Sequence, residues 1–141
     1  MSTELNLVTK LKENNINPSL PRIEILEYLY KNRIHPNIEE IYSAISPKMS
    51  SLSKATVYNT MELFEQKGIV KGLHIESNEI RYDIRTDRHG HFKCIECGAI
   101  YDIEVYDVKS ELSTNNLKFT IITEEVNYRG ICKNCIEKNN N

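Results

Sequence analysis

The sequence of 141 residues predicts an α+β fold in two parts, a helical N-terminal part closed by a β-hairpin and a small α/β part gathered around four cysteines. Three observations carry this. Apolar residues recur at helical spacing in four short runs up to residue 67, and two β-rich runs follow at 69–75 and 80–84. The remaining third holds Cys94-x-x-Cys97 followed by Gly98, and later Cys132-x-x-Cys135, in a setting of short extended segments.

In chain order, residues 4–15 place Leu5, Val8 and Leu11 on one side of an amphipathic helix that Asn14-Asn15 ends. Ser19 or Leu20 precedes Pro21, a residue suited to a first helical turn, and Ile23, Leu26 and Tyr30 supply the inward face of the next helix. After His35-Pro36, Asn37 can cap a third helix with Glu40 answering in a capping box, and Pro47 stops it. A fourth begins at Ser53 and runs to Gly68, with Val57, Met61 and Phe64 on one side and Ala55, Tyr58, Asn59 and Glu62 opposite. That second face suits a major groove, with Lys54 and Thr56 near phosphates; it also suits an ordinary solvated helix face. The residues 76–79 form a turn cluster, so the β-rich runs read as a hairpin. Short helices followed by a hairpin is the order of a winged helix-turn-helix, with the hairpin as wing, Arg81 and the Lys71-Gly72 pair beside the backbone, and His74 a surface residue of the wing. Beyond residue 86, extended segments at 91–94 and 99–103, a helix at 105–115 and strands at 119–126 and 128–131 make a β-β-α-β unit, which a second copy can cover. The tail 137–141 reads as disordered.

The formal charge of -2 lacks the basic footprint usual for nucleic-acid binding, although a dimer can present a local basic stripe. The opening MSTELNLVTK has no apolar core for a signal peptide and no span reaches transmembrane length, so a cytoplasmic protein without membrane partners is expected. In a reducing compartment, four cysteines confined to two C-x-x-C pairs favour Zn²⁺ over a disulfide framework, with a redox switch as the other reading. His89-x-His91 puts two imidazoles on one face of an extended run, and Asp83 and Asp102 flank them. Nitrogen and oxygen donors without sulfur suit an exchangeable Fe²⁺ or Mn²⁺.

Taken together, the helical N-terminal part, the His35-Pro36 step, Ala55-Thr56-Val57-Tyr58, the run His89-x-His91-x-x-Cys94-x-x-Cys97-Gly98 and the closing Cys132-x-x-Cys135 resemble the ferric uptake regulator family over essentially the whole chain. The resemblance implies a homodimeric, metal-dependent repressor of double-stranded DNA operators. Its parts would be a winged-helix DNA-binding domain at 1–82, a hinge at 83–88 and an α/β dimerisation and metal-binding domain at 89–141. It implies a structural zinc on Cys94, Cys97, Cys132 and Cys135, and a regulatory Fe²⁺ or Mn²⁺ on His35, Asp83, His89, His91 and Asp102. Lys54, Thr56, Tyr58 and Asn59 become the DNA-binding residues. Aspartate at both carboxylate positions, and Asn59 after Tyr58, resemble the peroxide-sensing (PerR-like) branch rather than the iron-uptake branch, which is the alternative. In that branch hydrogen peroxide is the signal and a histidine ligand is oxidised, here His35 or His89, while Mn²⁺ gives an insensitive repressor. Arg88 and Gly90 stand where some members draw an additional metal site, which is expected to be missing.

Two readings from other classes compete. Two histidines and a carboxylate also describe a non-haem iron enzyme, against which stand the small size and the lack of a cofactor motif. A zinc-ribbon interaction module without DNA binding would keep the cysteines and need none of the histidines.

Overall fold

The computed structural model describes residues 2–76, 78–85, 87–105, 119–120, 122 and 124–140. The chain divides into two compact units, Met1–Thr86 and Asp87–Asn141.

The first unit contains four helices, α1 (Ser2–Glu13), α2 (Leu20–Lys31), α3 (Ile38–Ile45) and α4 (Lys54–Gln66), and the hairpin β1 (Lys71–Glu76) with β2 (Glu79–Asp83). On α1 the buried pair is Leu7 and Leu11, one turn apart, and not the expected Leu5, which is exposed. Register on a short helix depends on where the chain leaves it. Here Asn15 takes a left-handed φ of 59° and the Ile16 N–H returns to the Leu11 carbonyl, so buried Ile16 pins the end that faces the core. Ser19 caps α2 by accepting from the Arg22 N–H. Ile25, Leu26 and Leu29 fill the interior while Ile23 and Tyr30 pack at its edge, a rotation of the expected face. Asn37 caps α3 through the Glu40 N–H at 2.8 Å, and the Glu40 carboxylate accepts from Arg81. A short 3₁₀ turn, Ser46–Lys48, follows at Pro47.

On α4, Ser53 caps through Thr56, and Val57, Thr60, Met61 and Phe64 are buried as the period requires. Gly68 closes the helix at φ 76°, with the Ile69 N–H returning to the Phe64 carbonyl. β1 and β2 pair antiparallel with Gly72 opposite Tyr82 and Leu73 opposite Arg81. Gly72 lets the Glu65 carboxylate approach and accept from its N–H; a Cβ there would lie 2.8 Å from that carboxylate and turn the side chain away.

The second unit holds a three-stranded sheet, β3 (Gly90–Cys94), β4 (Ile100–Ile103) and β5 (Asn127–Gly130), in the order β4-β3-β5, and a helix α5 (Lys133–Asn139). β3 pairs antiparallel with β4 and parallel with β5. The expected helix at 105–115 falls, beyond residue 105, outside the described residues. The described residues between 119 and 126 are not strand, and pairing begins at Asn127. Nor are residues 137–140 of the tail disordered as expected: α5 continues to Asn139, whose side-chain amide donates to both Glu96 carboxylate oxygens at 3.0 Å. A helix of this length is marginal alone and is held here by that contact and by the cysteines at its start. No helix among the described residues is long and apolar enough to cross a membrane.

Candidate metal centres

Two turns bring the cysteines together. Cys94 ends β3, and the Gly98 N–H bonds to its carbonyl at 3.0 Å, with Gly98 left-handed at φ 78°. Cys132 stands at the N-terminus of α5 and Cys135 lies in its first turn. The parallel β3–β5 register, with Cys94 opposite Gly130, sets the two pairs side by side. All four sulfurs lie within 4.8 Å of one another, with Cys94 to Cys135 at 3.7 Å and Cys97 to Cys132 at 3.8 Å. A zinc ion bonded at about 2.3 Å to four sulfurs gives tetrahedral edges of about 3.8 Å, so the cysteines fit that ion. Backbone donors prepare them. The N–H groups of Cys97 and Cys132 hold the Cys94 thiol down to about 6, and the Cys135 N–H lowers Cys132. Cys135, hydrogen-bonded to the Cys132 thiol, is pushed up to about 12, because neighbouring thiols share protons.

Upstream on β3, His91 pairs with Asp102 of β4, and its Nε2 lies 3.4 Å from Asp102 Oδ1. His89 Nε2 lies 3.7 Å from the same oxygen, and its Nδ1 lies 2.7 Å from the Asp87 carbonyl oxygen. The two imidazoles meet edge to face with centroids 4.6 Å apart, on one face as the alternation predicts. Gly90 between them admits no side chain, since a Cβ would lie 2.8 Å from Val105 Cγ1. Donor atoms on one first-row divalent ion lie about 3.0–3.6 Å apart, so His91 and Asp102 stand at that spacing while His89 lies just beyond it from Asp102.

In the first unit, His35 and Asp83 are both buried at 6% exposure, with His35 Nε2 3.6 Å from Asp83 Oδ2. The other Asp83 oxygen accepts from the Arg85 N–H, which aims the carboxylate. His35 has a left-handed φ of 58°, a conformation few residues with a Cβ adopt. Three residues of β2 surround that loop: Arg81 donates to the His35 carbonyl, the Tyr82 N–H to Pro36, and Asp83 meets the ring.

Arg81 was expected to face a DNA backbone, and its guanidinium is instead engaged inward. It is 20% exposed, bonds Glu40 at 3.1 Å and lies 2.7 Å from Glu79 as an ion pair out of line for a hydrogen bond. Sequence reading missed this role because the contact joins residues far apart in the chain, and no local pattern marks it. Arg88 likewise forms a fork on Glu124, at 2.6 and 3.1 Å, and donates to the Val105 carbonyl.

On α4, Ala55, Tyr58, Asn59 and Glu62 are exposed, with Tyr58 at 52%. Lys54 reaches Glu39 at 2.7 Å, which raises its pKa, and Thr56 bonds the Ser53 hydroxyl. His74 is exposed on β1, as its expected place on the hairpin surface requires.

Residues 13–129 match the model of the ferric uptake regulator family. The peroxide-responsive repressor PerR of Staphylococcus saprophyticus is 33% identical over 133 residues, 93% of this chain and 90% of its own length. The ferric uptake regulator of Helicobacter pylori, whose structure has three functional metal-binding sites, superposes with TM-score 0.70 at 26% identity, covering 96% of this chain and 92% of that one. PerR from Streptococcus pyogenes superposes at TM-score 0.52 and 30% identity, covering 94% and 92%.

Proposed function

Since the chain belongs to the ferric uptake regulator family, we propose that it is a homodimeric, metal-dependent transcriptional repressor that releases its DNA operator when peroxide oxidises a histidine ligand. Members of this family are transcription regulators, and a metal-responsive repressor is the function its PerR-named relatives support. The observation that carries the finer reading is the donor set. Both His35–Asp83 and His89–His91–Asp102 are sulfur-free, and both carboxylates are aspartates.

In this reading residues 1–82 form the DNA-binding domain, 83–88 the hinge and 89–141 the dimerisation and metal-binding domain. Cys94, Cys97, Cys132 and Cys135 hold a structural zinc that leaves no position for water. His35, Asp83, His89, His91 and Asp102 together hold Fe²⁺ or Mn²⁺. Because the ligands come from both sides of the hinge, binding selects one angle between the domains, and a differential affinity of a few kcal/mol suffices to shift that population. Tyr58 and Asn59 meet base edges while Lys54 and Thr56 meet phosphates.

A bound Fe²⁺ would promote cleavage of the O–O bond of hydrogen peroxide beside a histidine ring; the ring gives up two electrons, one peroxide oxygen replaces a ring C–H hydrogen, and the other leaves as water with that hydrogen and the remaining peroxide hydrogen. The rings in question are His35 and His89. Loss of one neutral nitrogen donor weakens the site, the angle is released, and the reading helices no longer span two half-sites.

The test uses a duplex selected from random sequence by the Mn²⁺ form. Both Fe²⁺ and Mn²⁺ forms should bind it and the chelated protein should not. After peroxide, only the Fe²⁺ form should let go, with one added oxygen on the His35 or His89 peptide by mass spectrometry. An Fe²⁺ form that keeps its grip favours an iron-responsive repressor of the same family, and substrate turnover without DNA affinity favours an enzyme.

A further inference from the structure

His35 combines a buried ring, a left-handed backbone and a place in the loop ahead of α3. Pro36, next in the chain, has no N–H with which to help fix that geometry. The restraint comes from β2. Arg81 donates through Nη1 to both the His35 carbonyl and the Glu40 carboxylate, each at 3.1 Å, and Glu79 closes on Nε at 2.7 Å. Next to it the Tyr82 N–H bonds the Pro36 carbonyl at 2.9 Å.

We propose that Arg81 and Glu40 form a clamp that positions His35 for the regulatory metal and ties that ligand to the hairpin. The inference rests on the reading of His35 as a ligand. Arg81 bonds the His35 backbone carbonyl and acts through it, so it is a positioning residue. Its planar fork serves the carbonyl and two carboxylates at once, a geometry one ammonium cannot reproduce in full. Glu40 has a second part in this, since its N–H fixes the start of α3 on Asn37 and its carboxylate fixes the arginine. A shift of the hairpin therefore moves the His35 carbonyl, and an ordered His35 in turn fixes the hairpin.

The experiment measures Mn²⁺ affinity by the electron paramagnetic resonance of free Mn²⁺ for the zinc-loaded protein and for R81M, R81K, E40Q and H35A. Partners that orient a ligand typically cost about tenfold or more in affinity when removed. R81M is expected to bind Mn²⁺ about tenfold more weakly, with E40Q and R81K between it and the parent, while zinc content is unchanged. In metal-free protein, R81M should also speed hydrogen exchange at the Tyr82 amide. If H35A weakens Mn²⁺ binding and R81M and E40Q do not, the clamp is overturned and the ligand reading stands. If H35A leaves affinity intact, the ligand reading fails and the clamp falls with it. A lowered melting temperature in R81M with parental Mn²⁺ affinity assigns Arg81 a purely structural role. Should R81M not fold, E40Q decides, since it removes the charge from one arm of the clamp and keeps its shape.

Discussion

His91 and Asp102 face each other across β3 and β4 as a registered pair, 3.4 Å apart at their donor atoms. Strand pairing sets this meeting, and side chains opposite one another on one face are the closest neighbours a sheet provides. The D102N variant keeps the shape and removes the charge that two imidazoles share. It should bind Mn²⁺ at least about tenfold more weakly, with zinc content unchanged, when titrated beside the parent. Equal affinity would remove Asp102 from the ligand set.

The C135S variant tests the tetrathiolate. Three thiolates leave one corner open and detach the start of α5 from the end of β3. The second unit is small and gains folding energy from its ion, so the expected loss is several kcal/mol, or a fall of about 10 °C or more in its melting temperature. Calorimetry with zinc analysis checks this. A stable, zinc-free C135S would show that the ion is dispensable.

Alkaline pH acts on the first unit through Tyr82. Burial pushes its phenol up to about 12 from an ordinary 10. The unfolded chain loses that proton first, so the contribution is complete below pH 10 and is lost as pH rises towards 12. With part of the shift screened by solvent, the loss is about 1–2 kcal/mol. Urea unfolding at several alkaline pH values should show a shallower decline for Y82F than for the parent.

Glu39 holds Lys54 at 2.7 Å beside the exposed face of α4, and also lines a groove of about 560 Å³ with Tyr58 and Glu79. The pair is exposed and worth little to stability. Neutralising Glu39 leaves Lys54 for a phosphate. E39Q should therefore bind random duplex about threefold more tightly at low salt, and the slope of log K against log salt should steepen by up to about 0.9. Unchanged affinity and slope would remove Lys54 from the backbone contacts.

What could be read from the chain was local or periodic. Asn37, Ser53 and Gly68 announce helix ends by their own chemistry, and Val57, Met61 and Phe64 share a face because 3.6 residues make a turn. The spacing of Cys94 with Cys97 and of Cys132 with Cys135 marks the halves of one tetrahedron, since two intervening residues fit a knuckle around an ion. His89 and His91 share a face by the period of a strand. Tertiary structure alone decided the rest. Leu7 replaced Leu5 because the end of α1 is anchored through Ile16, α5 persisted because Asn139 meets Glu96, and Arg81 turned inward to His35 and Glu40. Each of these depends on the direction of approach between segments distant in sequence, and residue type and period carry no information about that direction.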